Sequence, residues 1–194
     1  MKITFIQPSV GKIHNAPYVK SWTMEPLALS TLAGLTPKYI EVELIDERIE
    51  ELPLEYDADI VAITIETYTA KRAYRISKKI RQQGVTVVMG GIHVNLLPDE
   101  VEKHCDSILL GGAEGGIWEK MIQDFKNKTL LSRYDANSYF NSELEHVVPR
   151  RDLYKNKGYL PLGLVESGRG CPFTCEFCAI TSAHKARYRS KHID

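Results

Sequence analysis

A run of apolar and β-branched residues at positions 59–65, DIVAITI, is the feature that most constrains the fold of this chain. A run without alternating polar residues is typical of a strand that is buried on both faces, as in a parallel sheet. Such a sheet needs helices on both sides, because its strands are joined by crossover connections. The sequence therefore predicts an α/β fold.

The segments around this run alternate between strand-like and helix-like patterns. The predicted strands are residues 2–6, 42–45, 59–65, 85–89 and 107–110, and the predicted helices are residues 26–37, 68–83, 98–103 and 114–127. Five parallel strands with right-handed crossovers predict a doubly wound, flavodoxin-like (Rossmann-like) sheet of strand order 2-1-3-4-5. The pattern is lost over residues 128–158, which are predicted to form an ordered linker, and LPLGLVE at 160–166 predicts a further strand.

The composition argues against several classes of protein. The chain has 194 residues, 25 of them Lys or Arg and 25 Asp or Glu, so its formal net charge is zero. Proteins that bind nucleic acids through charge are basic, so we expect no nucleic-acid partner. No apolar run approaches the roughly 18 residues of a membrane span. The apolar run at residues 2–6 is too short for a signal peptide. We therefore expect a cytoplasmic protein.

Three of the four cysteines, Cys171, Cys175 and Cys178, lie close together in a C-x-x-x-C-x-x-C spacing. Three thiolates on one loop can bind three irons of a [4Fe–4S] cluster and leave the fourth iron open to a substrate. The alternative is a structural zinc site with His184 or His192 as the fourth ligand, although zinc sites more often pair their cysteines. The fourth cysteine, Cys105, stands alone before a predicted strand, and we expect it to be a buried structural thiol.

The cysteine spacing, with the aromatic Phe177 before the last cysteine, resembles the signature of the radical S-adenosylmethionine (radical SAM) superfamily. The resemblance implies that Cys171, Cys175 and Cys178 bind the cluster and that Phe177 lies near the adenine of S-adenosylmethionine. It also implies that an electron from a donor such as flavodoxin or ferredoxin generates a 5′-deoxyadenosyl radical. Residues 159–194 would then be the start of a radical SAM β/α barrel.

Four loops follow the predicted strands, at the edge where open α/β sheets bind ligands. Glycines in two of them would let a large ligand approach the backbone, although Gly-Gly after a strand equally fits an ordinary turn. The candidate cofactor-binding residues in these loops are Pro8, Ser9, Val10, Glu66, Thr67, Tyr68, Gly90, Gly91, Ile92, His93, Gly111, Gly112, Ala113, Glu114 and Gly115.

In their order along the chain, the segments QPS, LIDERIE, DIVAIT, VVMGGIHVNLLPDE and GGAEG resemble radical SAM proteins with an N-terminal cobalamin (B12)-binding domain. The resemblance implies such a domain over residues 1–127, with a corrinoid on the sheet edge and its nucleotide tail among the glycine-rich loops. The chain lacks the D-x-H-x-x-G segment that supplies an axial histidine in other cobalamin domains. His93 is the nearest histidine in these loops. Its two alternative roles are that of a cobalt ligand and that of a hydrogen-bonded structural residue.

The function that this resemblance implies is that of a cobalamin-dependent radical SAM enzyme, such as a methyltransferase that acts on an unactivated carbon. Other relatives of this type perform ring closures or rearrangements. The alternatives are a radical SAM protein that no longer binds cobalamin and a non-enzymatic cobalamin- or metal-binding module. A complete β/α barrel takes about 250 residues. We therefore expect a chain truncated just after the cluster loop and inactive by itself.

Overall fold

A six-stranded parallel sheet lies at the centre of the computed structural model, which describes residues 1–10, 12–13, 16–17, 24–136, 144–184 and 187–191. The strands are β1 (Lys2–Gln7), β2 (Glu41–Asp46), β3 (Ile60–Thr64), β4 (Thr86–Gly90), β5 (Ser107–Leu110) and β6 (Arg133–Asp135). Their order is β2-β1-β3-β4-β5-β6, and neighbouring strands are parallel. The predicted α/β class and the order 2-1-3-4-5 are confirmed for the first five strands.

The sixth strand corrects the prediction of a five-stranded sheet. β6 has three residues, and only its central residue, Tyr134, is buried. It pairs with β5 at the sheet edge, where Leu109 lies opposite Tyr134. A strand with a single inward side chain has no run of apolar residues, so its sequence pattern does not distinguish it from a loop.

Residues 160–166 are not a strand, so that prediction is wrong. Among the described residues, no strand pairs with this segment, and a strand needs a neighbour to satisfy its backbone hydrogen bonds. The strand that does form lies a little further along the chain. It is β7 (Gly168–Gly170), which pairs antiparallel with β8 (Tyr188–Ser190). We call residues 166–191 the cysteine segment.

Helices cover both faces of the sheet. They are α1 (Leu27–Leu35), α2 (Ala70–Arg81), α3 (Ile92–Leu96), α4 (Pro98–Val101), α5 (Ile117–Lys126) and α6 (Ala179–His184). Helices α1 and α5 pack on one face, and α2, α3 and α4 pack on the other. Alternate residues of β3 point to the two faces, with Ala62 in the first core and Ile63 in the second. None of the helices in the described ranges is long and apolar enough to cross a membrane.

The chain after residue 144, predicted as a linker, packs against the outer side of α1. Val147 and Tyr154 are buried in the same core as α1 and α5. The backbone N–H of Arg150 donates to the carbonyl of Ser30 at 2.9 Å. At Gly34 a Cβ would collide with the carbonyl oxygen of Val148, so the two segments approach as closely as backbones can. Residues 144–159 therefore complete the first core.

Candidate functional site

A cavity of about 300 Å³ lies on the α1 and α5 side of the sheet, at the carboxyl ends of the strands. This is the edge at which open α/β sheets bind ligands. Apolar side chains of α1 and α5 form its inner part, among them Leu32 and Trp118. Its outer part is formed by the glycine-rich loops after β4 and β5 and by residues of the cysteine segment.

The structure separates the predicted loop residues into two groups. Those that line the cavity are Gly90, Gly91, Ile92, Gly111, Gly112, Ala113 and Glu114. Those that lie outside its lining are Pro8, Ser9, Val10, Glu66, Thr67, Tyr68, His93 and Gly115. The loops after β4 and β5 are thus brought together around one space, whereas the candidate residues after β1 and β3 do not line it.

Gly91 lets the chain turn sharply at the edge of the cavity. Its φ of 111° and ψ of 179° belong to a region that only glycine adopts readily. A Cβ at this position would lie 2.5 Å from the carbonyl oxygen and 2.8 Å from the nitrogen of Ile65. The loop after β4 therefore lies directly against the chain that follows β3.

Asn95 connects the two glycine-rich loops and was missed in the sequence. Its Oδ1 accepts a hydrogen bond from the N–H of Gly111 at 2.7 Å, and its Nδ2 donates to the carbonyl of Gly91 at 3.2 Å. The side chain also lines the cavity. Its position four residues after Gly91, in the first turn after a glycine-rich loop, was the available signal. Asn95 fixes the separation of the two loops and so the width of the cavity.

The His93 imidazole lies on the other face of the sheet, where it is 3% exposed. Its Nε2 is 3.2 Å from the hydroxyl of Tyr74 and its Nδ1 is 3.2 Å from the hydroxyl of Thr67. The Tyr74 hydroxyl also donates to Glu100 at 2.9 Å. Of the two roles considered for His93, this arrangement corresponds to the hydrogen-bonded one, because both ring nitrogens have protein partners.

Asp46, the last residue of β2, and Glu47, which follows it, each form an ion pair with an arginine. Asp46 is fully buried and receives hydrogen bonds from Arg48 at 2.9 Å and from the hydroxyl of Tyr159 at 3.0 Å. Glu47 accepts from the guanidinium of Arg72 at 2.9 Å and from the N–H of Ser9 at 3.0 Å. These contacts hold the loop after β1 and the chain near residue 159 against the sheet edge.

The three clustered cysteines lie at the protein surface between β7 and α6. Cys175 is exposed, Cys171 and Cys178 are half-buried, and all three thiols are free. The side chain of Phe177 is 93% exposed. Backbone N–H groups of Thr181 and Ile180 lower the pKa of Cys178, which favours its thiolate. The donor set is therefore suited to iron or zinc.

The structure does not gather these thiols into a metal site. Within the described residues, no three His, Cys, Asp or Glu side chains lie close enough together to hold a metal ion. His184, one of the two histidines considered as a zinc ligand, lines the cavity. His192, the other, lies outside the described residues.

Arg169 joins the cysteine segment to the loop after β5. Its guanidinium donates to both carboxylate oxygens of Glu114, at 2.7 and 3.0 Å, and to Glu166 at 2.8 and 2.9 Å. Burial by itself would raise the pKa of both carboxyl groups, but the hydrogen bonds from Arg169 outweigh it and hold each pKa below its ordinary value. All three residues line the cavity, so its outer wall is charged but internally paired.

The cysteines differ enough in exposure to be distinguished by their reactivity. Cys105 is 6% exposed, and burial raises its pKa to about 12. Because the thiolate is the reactive form, we expect Cys105 to resist an aromatic disulfide reagent in the folded protein. The reduced, metal-free chain should show three fast thiols, and four after unfolding in guanidinium. A fourth fast thiol in the folded protein would contradict the burial of Cys105.

Comparison with known protein families points to the same edge of the sheet. Residues 23–117 match the family described as the B12 binding domain. This range includes β2 to β5, the two glycine-rich loops and α1, and so most of the cavity wall. The match thus covers the region in which the structure places the cavity.

The chain is similar to several proteins that are named as methyltransferases. The bacteriochlorophyllide d C-8(2)-methyltransferase of Chlorobaculum tepidum is 32% identical over 174 residues, which are 84% of this chain and 37% of that protein. The bacteriochlorophyllide d C-12(1)-methyltransferase of the same organism is 33% identical over 175 residues, 87% of this chain and 38% of the relative. An uncharacterized methyltransferase of Pyrococcus horikoshii is 31% identical over 227 aligned residues, covering 100% of this chain and 48% of the relative.

The chain thus spans less than half the length of each of these relatives. The parallel sheet, the glycine-lined cavity and the family match agree with one another. Residues 23–117 are thus similar to the B12 binding domain, in a chain that is also similar to proteins named as methyltransferases.

Proposed function

We propose that this chain is the cofactor-binding part of a cobalamin-dependent radical SAM methyltransferase. One observation carries the proposal: the cavity of the B12-binding domain is lined both by two glycine-rich loops and by the segment that bears three free cysteines. A corrinoid on the sheet edge and an iron–sulfur cluster on the cysteine loop would then lie next to each other. A methyl transfer that uses both cofactors requires them to lie close together.

The residues around the cavity fit the nucleotide tail of a corrinoid. A volume of about 300 Å³ is at the lower end of small-molecule sites, so it suits a heterocyclic base better than a whole corrin ring. Apolar residues such as Leu32 and Met121 would contact the base. Gly90 and Gly111 present backbone without side chains at the opening, where the bulkier sugar and phosphate would pass. A corrinoid bound there would supply a methyl group to the acceptor.

The cysteine loop fits an iron–sulfur cluster by its donor chemistry. Three thiolates on one loop leave one iron of a [4Fe–4S] cluster without a protein ligand, and this iron can bind S-adenosylmethionine. Cys171, Cys175 and Cys178 would be the ligands, and the exposed ring of Phe177 is available to S-adenosylmethionine. The loop would have to draw its three sulfur atoms together as the cluster is built. A small electron-transfer protein such as flavodoxin or ferredoxin would be the electron donor.

Anaerobic reconstitution of the chain with iron, sulfide and hydroxocobalamin tests both cofactor assignments. After desalting we expect about four irons per chain, as for one [4Fe–4S] cluster, and retained corrinoid absorption. The variant Cys175→Ser should lose the iron and keep the corrinoid. The variant Cys105→Ala is the matched control, because it removes a thiol on the far side of the sheet, and it should retain both.

The possible outcomes separate the alternatives. Iron without corrinoid would contradict the cobalamin assignment and leave a radical SAM protein whose first domain has lost its cofactor. Corrinoid with zinc, or with no metal, would contradict the cluster assignment and favour a non-enzymatic binding module. Iron retained equally by Cys175→Ser would contradict the assignment of the three cysteines as ligands.

A further inference from the structure

The cavity has a wall that lies outside the B12-binding domain. The family match ends at residue 117, yet Glu166, Arg169 and His184 line the cavity together with the loops after β4 and β5. These three residues belong to the cysteine segment. An occupant of the cavity would therefore contact two parts of the chain that are far apart in sequence.

Arg169 is the main connection between these two parts. Its side chain is 22% exposed and that of Glu114 is 9% exposed, so their two-point ion pair is largely shielded from water. A buried charge that loses its partner is strongly destabilised, whereas an exposed ion pair contributes little. The orientation of the cysteine segment against the loop after β5 therefore depends on this pair.

The ion pair lies close over the backbone of Gly112. A Cβ at Gly112 would collide with the Glu114 carboxylate and lie 2.9 Å from Nη1 of Arg169. The Glu114 carboxylate and the Arg169 guanidinium thus lie directly over the backbone of Gly112, at the cavity edge. A second contact lies nearby, where α3 packs against α6. These two helices place Asn95 and His184 in the cavity wall.

We propose that Arg169 and His184 complete the corrinoid site: the cysteine segment closes the cavity over its occupant, and the Arg169–Glu114 pair holds it closed. The inference rests on the corrinoid binding proposed above. If docking of the cysteine segment tightens corrinoid binding, corrinoid binding must favour docking of the segment by the same factor, because linkage is reciprocal. Corrinoid binding should order the cysteine segment, and docking of the segment should tighten corrinoid binding. In this proposal Arg169 positions the cysteine segment, and His184 forms part of the cavity wall.

The test is an equilibrium titration of the full chain with hydroxocobalamin, followed by its absorption spectrum. We expect Arg169→Met and Glu114→Gln each to weaken binding by about tenfold, within the usual range of coupling between two sites. Arg133→Met is the matched control. Arg133 also makes a double ion pair, with Asp99 and Glu102, but it does not line the cavity. We expect its affinity to stay within about twofold of the original chain.

A second measurement does not depend on any variant. Hydrogen exchange of the original chain, read by mass spectrometry, should show greater protection of the amides of β7 and β8 when hydroxocobalamin is present. Unchanged protection, or an Arg169→Met variant that binds hydroxocobalamin as tightly as the original chain, would overturn the inference and leave the proposed function intact. Failure of the original chain to bind hydroxocobalamin at all would overturn both.

Discussion

Replacing Gly91 with alanine should lower the free energy of unfolding by about 4 kcal/mol and abolish corrinoid retention. Two costs combine: about 1–3 kcal/mol for a backbone conformation that alanine rarely adopts, and about 1–3 kcal/mol for overpacking. The second arises because the new Cβ would lie 2.5 Å from the carbonyl oxygen of Ile65, which belongs to the adjoining backbone and cannot rotate away. Urea unfolding followed by circular dichroism measures the change.

Gly84 provides the matched control, because it also has a positive φ, of 81°, but a Cβ added there would meet no atom within 4 Å. Gly84→Ala should therefore cost only the backbone term, about 1 kcal/mol. It lies at the end of the sheet opposite the cavity, so corrinoid retention should be unchanged. Equal costs for the two variants would show that the close approach of Gly91 to Ile65 does not determine stability.

Replacing Trp118 with alanine should cost about 3–5 kcal/mol, the usual range for deleting a large buried aromatic side chain. Trp118 is 1% exposed and packs against Phe5, with ring centroids 6.3 Å apart. Its indole N–H also donates to the hydroxyl of Thr36 at 2.9 Å. The substitution would enlarge the cavity and leave that hydroxyl without its donor. The midpoint of urea unfolding, compared at constant slope, gives the loss.

The variant Trp118→Phe separates packing from hydrogen bonding. It keeps most of the aromatic surface and removes the N–H donor, so we expect a loss of about 1 kcal/mol. If both variants destabilised the protein equally, the hydrogen bond to Thr36 would outweigh the packing of the ring. If neither did, the core around α5 would be far less dense than the structure indicates.

The sequence was sufficient for most of the sheet because its strands are buried on both faces. DIVAITI has no polar position between residues 60 and 63, and β3 is buried throughout these four residues. Ile117, Trp118 and Met121 likewise follow a helical spacing, and all three are buried on the inner side of α5. β6 could not be found in this way, because a three-residue edge strand is defined by its neighbour β5 rather than by its own pattern.

The candidate site was only partly visible in the sequence because its partners are far apart along the chain. Glycines after β4 and β5 marked the two loops that line the cavity. No spacing rule connects Glu114 with Arg169, which meet across 55 residues. The same holds for Asp46, whose burial depends on Arg48 and on Tyr159, which is 113 residues away. A side chain such as His93 can occupy a ligand loop and still face the opposite side of the sheet.

Residues 144–159 pack on α1, and this packing limits how residues 23–117 could be transferred to another protein by recombination. The family match ends at residue 117, but Val147 and Tyr154 cover α1 within the same core. A recombination event that moved residues 1–127 alone would remove the segment that contacts α1 at Ser30 and Gly34, and the recipient protein would have to supply an equivalent one. We therefore expect residues 23–117 and residues 144–159 to be inherited together, because both contribute to the same core.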